Sequence, residues 1–226
     1  KSIVEAHREY QNTLGISPDA EELSNIVEKA YTEHHNLADA TRYLVNALFA
    51  EYGLIIIDAD SAQLKRLFAP IIEKDILEQH SYKAISATSQ QLEELGVRTQ
   101  VNAREINFFY LLDGLRERIS KEGGRYYVLN SQISFSAQEL TGEIRNFPER
   151  FSPNVVMRPL YQEVILPNLA YVGGGAEIVY WLQLKQNFDQ YNISFPILML
   201  RNSALVTEAS FQDKLARLGL TEKDIF

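Results

Sequence analysis

Cysteine is absent from the 226 residues. That excludes a disulfide framework, a thiolate nucleophile and a cysteine metal site within this chain. Apolar runs of 18 or more residues are also missing, so no membrane-spanning helix is expected. Positive charge is in short supply: 22 Lys and Arg face 30 Asp and Glu, a net charge of -8. A nucleic-acid-binding surface would show basic clusters, so nucleic acid is not an expected partner. The first residues carry a charged helical pattern rather than a basic segment followed by an apolar one, which is unlike a secretory leader. A soluble, cytoplasmic protein is the expectation. The four histidines, His7, His34, His35 and His80, form neither HExxH nor HxH spacing. The adjacent pair His34-His35 would point to different sides of a helix, so no metal site is expected. The GxSxG nucleophile elbow, the GxGxxG dinucleotide fingerprint and the GxxxxGK[ST] phosphate loop are all missing. So are internal repeats and low-complexity linkers.

What is present reads first as helix. Residues 2–14 form one helix, ended by Gly15. A second starts after Ser17-Pro18, with Asp19, Glu21 and Glu22 favouring its amino end. Asn36 caps a third, Leu37 to about Glu51, closed by Gly53. Leu54-Ile-Ile-Ile-Asp58 then reads as a strand buried on both faces, as in a parallel sheet. Asp58 and Asp60 at its end suit a hydroxyl or metal contact, or, better, a cap for the helix that follows. Residues 61–95 read as two helices, the second piece starting near Pro70. Ile106–Leu112 and Arg125–Leu129 are the next strand candidates and possible hairpin partners, with turns at Asp113-Gly114 and Gly123-Gly124. Ser136 and Glu139 make a capping box for a helix over 137–146. A loop and a helix carrying Arg158, Gln162 and Glu163 on one side follow.

The stretch from Leu166 to Leu184 organises the rest. Its short apolar run 169–172, the glycines Gly173, Gly174 and Gly175, and an apolar helical pattern from Ile178 read as strand, tight turn and helix. Glycine permits positive φ and a close backbone approach. The helix start offers unpaired N–H donors and partial positive charge to an anion. Glu177 would complement that dipole or touch a substrate ammonium or hydroxyl. After a helix over 176–187, Phe195-Pro-Ile-Leu-Met-Leu200 reads as a further strand ending in Arg201-Asn202-Ser203. A right-handed βαβ crossover puts the glycine turn and Arg201-Asn202 on the same sheet edge. That edge gathers Arg158, Gln162, Gly173, Gly174, Gly175, Glu177, Arg201 and Asn202 as candidate substrate-binding residues, suited to carboxylate or phosphate. No catalytic residue stands out, and a plain connecting loop fits the glycines alone equally well. Tyr180 and Trp181 fit core packing better than ligand stacking. The last segment, 210–226, is an amphipathic helix broken by Gly219.

The run from Arg150 to Lys185 and the segment Phe195-Pro-Ile-Leu-Met-Leu-Arg-Asn-Ser203 strongly resemble the bacillithiol biosynthesis cysteine-adding enzyme family. Tyr52–Asp58, Leu64–Phe68 and Arg104–Asn107 resemble it more weakly. Many family members carry Gly-Gly-Pro-Gly-Glu where this chain has Gly-Gly-Gly-Ala-Glu. The resemblance implies a cysteine ligase, joining cysteine to glucosaminyl-malate in the cytoplasm, with ATP inferred as the co-substrate that activates a carboxyl. It implies a Rossmann-like, mostly parallel sheet flanked by helices, with a helical segment at 1–53 and an α/β core with inserted elements at 54–209. Residues 210–226 would begin a carboxyl-terminal coiled coil that makes a homodimer of the full-length protein. Family members are longer, so this chain is expected to be a piece of one. The rival expectation is a non-catalytic nucleotide- or anion-binding regulatory module; an oxidoreductase is disfavoured by the missing GxGxxG.

Overall fold

A computed structural model of the chain describes residues 2–204 and 206–224, apart from the side chain of Glu222. Three helices come first: α1 (Ile3–Leu14), α2 (Ala20–Thr32) and α3 (Leu37–Phe49). Side-chain caps start the first and third of these helices. Ser2 and Glu5 form a capping box, and the Asn36 side chain accepts from Asp39 N–H. Gly53 takes φ 76° to end the short 3₁₀ turn after α3.

The apolar run 54–58 departs from expectation. It forms no strand, and Leu54, Ile55 and Ile57 are exposed. A strand needs a neighbour for its N–H and C=O groups, and none of the described residues pairs with it. Neither Asp58 nor Asp60 caps the helix that follows, whose N-cap position is Ser61. Asp58 accepts from the Asp60 N–H at 2.9 Å, and Asp60 pairs with Lys65 Nζ at 2.9 Å.

Two long helices follow, α4 (Ala62–Glu78) and α5 (His80–Glu94). The break between them is at Gln79, which adopts φ 58°, and Pro70 lies inside α4. At Gln79 the chain reverses around buried Asp75. Its carboxylate accepts from Ser81 N–H (2.7 Å), Ser81 Oγ (2.8 Å) and Tyr191 OH (2.8 Å). Two local donors from Ser81 and the distant Tyr191 hydroxyl at one buried acceptor outweigh a proline that costs one helical hydrogen bond.

The main sheet has the order β4-β3-β2-β1-β5 and is antiparallel throughout. Its strands are β1 (Phe108–Leu112), β2 (Leu115–Glu122), β3 (Arg125–Val128), β4 (Ser134–Phe135) and β5 (Phe151–Pro153). The expected mostly parallel sheet is thereby corrected. Two residues separate β1 from β2 and β2 from β3, whereas a parallel crossover needs about a dozen or more. Gly123 and Gly124, at φ 56° and 81°, make the second turn. β2 also replaces the expected pairing of Arg125–Leu129 with the first strand, because β3 pairs with β2 instead. Its sequence, Leu-Arg-Glu-Arg-Ile-Ser-Lys-Glu, looks like loop or helix until its alternate faces are separated: Ile119 is buried and Arg116 exposed.

Helix α6 (Ala137–Asn146), capped by Ser136 and Glu139, and α4 close the inner face of this sheet. The aromatic centre is formed by Phe68, Phe108, Tyr110, Phe151 and Tyr161. Helix α7 (Arg158–Ile165) leads to the parallel pair β6 (Ala170–Gly173) and β7 (Ile197–Leu200), joined through α8 (Gly175–Gln183) and α9 (Lys185–Gln190). Here the connection is long enough for parallel pairing. One face of the pair packs inward through Tyr171 and Leu198; Val172, Ile197 and Met199 on the other are exposed. Helix α10 (Ala209–Leu218) ends at Gly219, φ 67°. No helix among the described residues is long and apolar enough to cross a membrane.

Candidate functional site

The register Gly173↔Leu200 sets the glycine turn beside the residue that leaves β7. Arg201 N–H donates to the Gly173 carbonyl at 2.9 Å. Its guanidinium lies over Gly174, where an added Cβ would stand 3.2 Å from Arg201 Nη2. The turn does not use positive φ at any of its three glycines, contrary to expectation. Absence of a side chain is what matters at Gly173 and Gly174. A Cβ on Gly173 would sit 2.7 Å from a ring carbon of Tyr171 and 3.1 Å from Glu177 Cβ. Gly173→Ala is therefore expected to cost about 1–3 kcal/mol of stability by overpacking. Chemical denaturation checks this, and a change near zero would mean that Tyr171 yields freely.

Glu177 has a defined structural task. Its Oε2 accepts from Gly174 N–H at 2.6 Å and caps α8. The carboxylate thus takes one of the free donors that made the turn resemble an anion cradle. The turn offers the Arg201 guanidinium, which makes no ion pair among the described residues. Such a group binds a carboxylate or a phosphate through paired hydrogen bonds.

The structure brings Gly173, Gly174, Glu177 and Arg201 into contact. Gly175 is exposed beside them with open space around its Cα. Asn202 follows, exposed, and its side chain makes no hydrogen bond among the described residues. Gln162 is half-buried on α7, also without a side-chain hydrogen bond there. Glu163, on the same helix, is buried and accepts from both Asn168 N–H and Asn168 Nδ2 at 2.8 Å. Trp181 is core, as its spacing indicates.

Arg158 lies elsewhere. It lines a cavity of about 550 Å³ together with Arg104, Arg116 and Arg118. Arg104, Arg116 and Arg118 are not among the expected substrate-binding residues. The signal was available in the i, i+2 spacing of Arg116 and Arg118, which places both on one face once β2 is a strand. Arg158 also influences Tyr161, whose hydroxyl donates to the Ala59 carbonyl at 2.8 Å. Burial pushes that hydroxyl up to about 12, with the guanidinium pulling the other way. Tyr180 belongs to the same cavity wall, and its hydroxyl donates to the Val155 carbonyl.

Comparison with known proteins bears on this arrangement. Residues 1–202 match the protein-family model described as "Bacillithiol biosynthesis BshC, N-terminal Rossmann-like domain". Three relatives carry the name "Putative cysteine ligase BshC". That of Flavobacterium johnsoniae is 54% identical over 217 residues, covering 96% of this chain and 41% of the relative. That of Christiangramia forsetii is 44% identical over 226 residues, covering 100% of this chain and 42% of the relative. That of Staphylococcus carnosus is 30% identical over 226 residues, covering 99% of this chain and 42% of the relative. The chain thus spans about two fifths of the length of the relatives it matches. With a matching family model over nearly its whole length, the chain belongs to the bacillithiol biosynthesis BshC family, and residues 1–202 correspond to that family's Rossmann-like domain.

Proposed function

We propose that this chain is part of a ligase that joins cysteine to glucosaminyl-malate through an amide bond, in the cytoplasm, as a step of bacillithiol biosynthesis. Membership of the BshC family and the names of its relatives support the reading. The structural observation that carries it is the Arg201 guanidinium over Gly174, at the carboxyl end of the parallel pair β6–β7. This is the edge where α/β sheets receive ligands, and a guanidinium binds a carboxylate through paired hydrogen bonds. Both cysteine and the malate portion of the acceptor carry carboxylates. Amide formation needs an activated carboxyl, so ATP belongs to the proposal as co-substrate. No step is assigned to it at the glycine turn.

The proposal extends to organisation. Residues 1–53 form a helical segment, 54–209 the α/β core with inserted elements, and 210–226 the start of a coiled coil through which the full-length protein dimerises. The test is genetic and biochemical. Deleting the gene should abolish cellular bacillithiol with build-up of the precursor, and normal thiol levels would sink the ligase reading in favour of a non-catalytic anion-binding module. In the full-length protein, Arg201→Ala should weaken substrate binding by roughly 1–3 kcal/mol through loss of a charged hydrogen bond. Unchanged KM would return Arg201 to a structural role.

A further inference from the structure

The antiparallel sheet has an outer face that its core does not use. Arg116 and Arg118 project from it two residues apart on β2, and the register pairs them with Leu111 and Phe109. Arg104 approaches from the segment before β1, and Arg158 from the first residue of α7. All four line the cavity of about 550 Å³, and no Asp or Glu is among its lining residues. None of the four guanidinium groups makes an ion pair or a side-chain hydrogen bond among the described residues. Arg116 lies over the Phe109 ring, 3.9 Å from its centre. Arg145 and Arg150, by contrast, are held by Glu73 and Glu143 at 2.8 and 2.6 Å.

Four like charges facing one cavity repel each other, and a chain of net charge -8 has ample carboxylates to neutralise them. Convergence without neutralisation creates a strong local positive potential, and that potential concentrates small anions. The volume falls in the range of small-molecule sites. Apolar walls from Ile106, Phe108 and Val155 strengthen each charged contact by limiting solvent.

The cavity is also held rigid from behind. Buried Asn107 fixes Arg104 by both backbone groups, accepting from its N–H at 3.1 Å and donating to its carbonyl at 2.7 Å. Asn107 Oδ1 takes a further bond from Asn154 Nδ2 at 3.0 Å, on the opposite wall. Buried Gln183 clasps Val101, accepting from its N–H at 3.2 Å and donating to its carbonyl at 2.5 Å. Buried side chains that tie the wall segments together give the preorganisation a binding site needs.

We infer that this four-arginine cavity is a binding site for a small molecule bearing at least two oxyanion groups, either carboxylates or phosphoryl groups. It is separate from the Arg201–Gly174 contact, and the inference does not rest on the ligase reading. Four guanidinium groups lining one cavity match a ligand that carries more than one charged group, and one monoanion would leave most of them unneutralised.

Titration calorimetry on the 226-residue chain tests it, with citrate in one arm and pyrophosphate in the other. Saturable binding is expected in at least one arm, weakening as salt is raised. Citrate alone identifies a polycarboxylate ligand, pyrophosphate alone a phosphorylated one, and both a general oxyanion site. Arg116→Gln and Arg118→Gln sit on the exposed face and should each weaken binding about tenfold or more. Far-UV circular dichroism confirms their fold. Arg145→Gln, whose guanidinium is held by Glu73, should leave the affinity unchanged. Absence of saturable binding in both arms, or binding that the Arg116 and Arg118 variants do not weaken, overturns the inference. So does equal loss in Arg201→Gln, which would assign the anion to the glycine turn.

Discussion

Asp75→Ala is expected to lower the unfolding free energy by about 3–5 kcal/mol, because it removes the acceptor of three buried hydrogen bonds at once. Asp75 and Ser81 are fully buried, and no water-exposed partner replaces the lost carboxylate for the Ser81 N–H or the Tyr191 hydroxyl. The effect extends beyond α4 and α5. Ser81 Oγ also accepts from Asn107 Nδ2 at 2.8 Å, and Asn107 anchors Arg104 and Asn154. The variant should therefore lose order at the arginine cavity as well as stability. Urea denaturation followed by circular dichroism measures the first and anion titration the second. A destabilisation under about 1 kcal/mol would show that the network adds little beyond an ordinary hydrogen bond.

The same residue gives a pH signature. Burial raises the Asp75 carboxyl above its usual range, with the hydrogen bonds from Ser81 and Tyr191 opposing it. A raised folded-state pKa means the folded protein holds this proton more tightly than the unfolded chain. Its stabilising contribution is complete below the usual carboxylate pKa and declines as pH rises through the raised value. Asp75→Asn stays neutral throughout. The difference in stability between wild type and Asp75→Asn should therefore move in favour of the variant as pH rises from acid toward neutrality. A difference that stays flat with pH would place the folded-state pKa at its ordinary value.

Trp181→Ala should cost a similar amount, about 3–5 kcal/mol, by opening a cavity in the hydrophobic core. Trp181 is 2% exposed and meets the rings of Tyr171, Phe188 and Phe195 at centroid distances of 4.3, 5.8 and 5.9 Å. These rings come from β6, α9 and the segment before β7. One side chain on α8 thus holds the parallel pair against its own crossover. Losing it should release the register that puts Arg201 over Gly174, so substrate binding in the full-length protein should fall together with stability. Trp181→Phe should recover part of both. Because Trp181 is the chain's sole tryptophan, circular dichroism rather than fluorescence has to follow unfolding. Full substrate affinity in a destabilised Trp181→Ala protein would separate the site from this packing.

Local chemistry was legible in the sequence. Ser136 with Glu139, Asn36, Gly53 and Gly219 mark helix ends through hydrogen bonds or dihedral angles that involve only a few neighbouring residues. The βαβ unit around Gly173–Gly175 was legible for the same reason: an apolar run, a glycine turn and an apolar helical period are all short-range signals. The chain's similarity to its family was also carried by contiguous residues, above all between Arg150 and Ser203.

Tertiary structure decided what depends on partners distant in the chain. Leu54–Asp58 has strand composition yet stays unpaired, because pairing is a property of two segments. β2 has the composition of a surface loop yet is central in the sheet, since only alternate residues meet the core. The antiparallel direction of β1, β2 and β3 follows from two-residue connections, which hold these strands antiparallel whatever their hydrophobicity. Arg158 was assigned to the edge of the glycine turn from its chain neighbourhood. Folding sets it with Arg104, from the segment before β1, and with Arg116 and Arg118 on β2, where their shared charge becomes a single field.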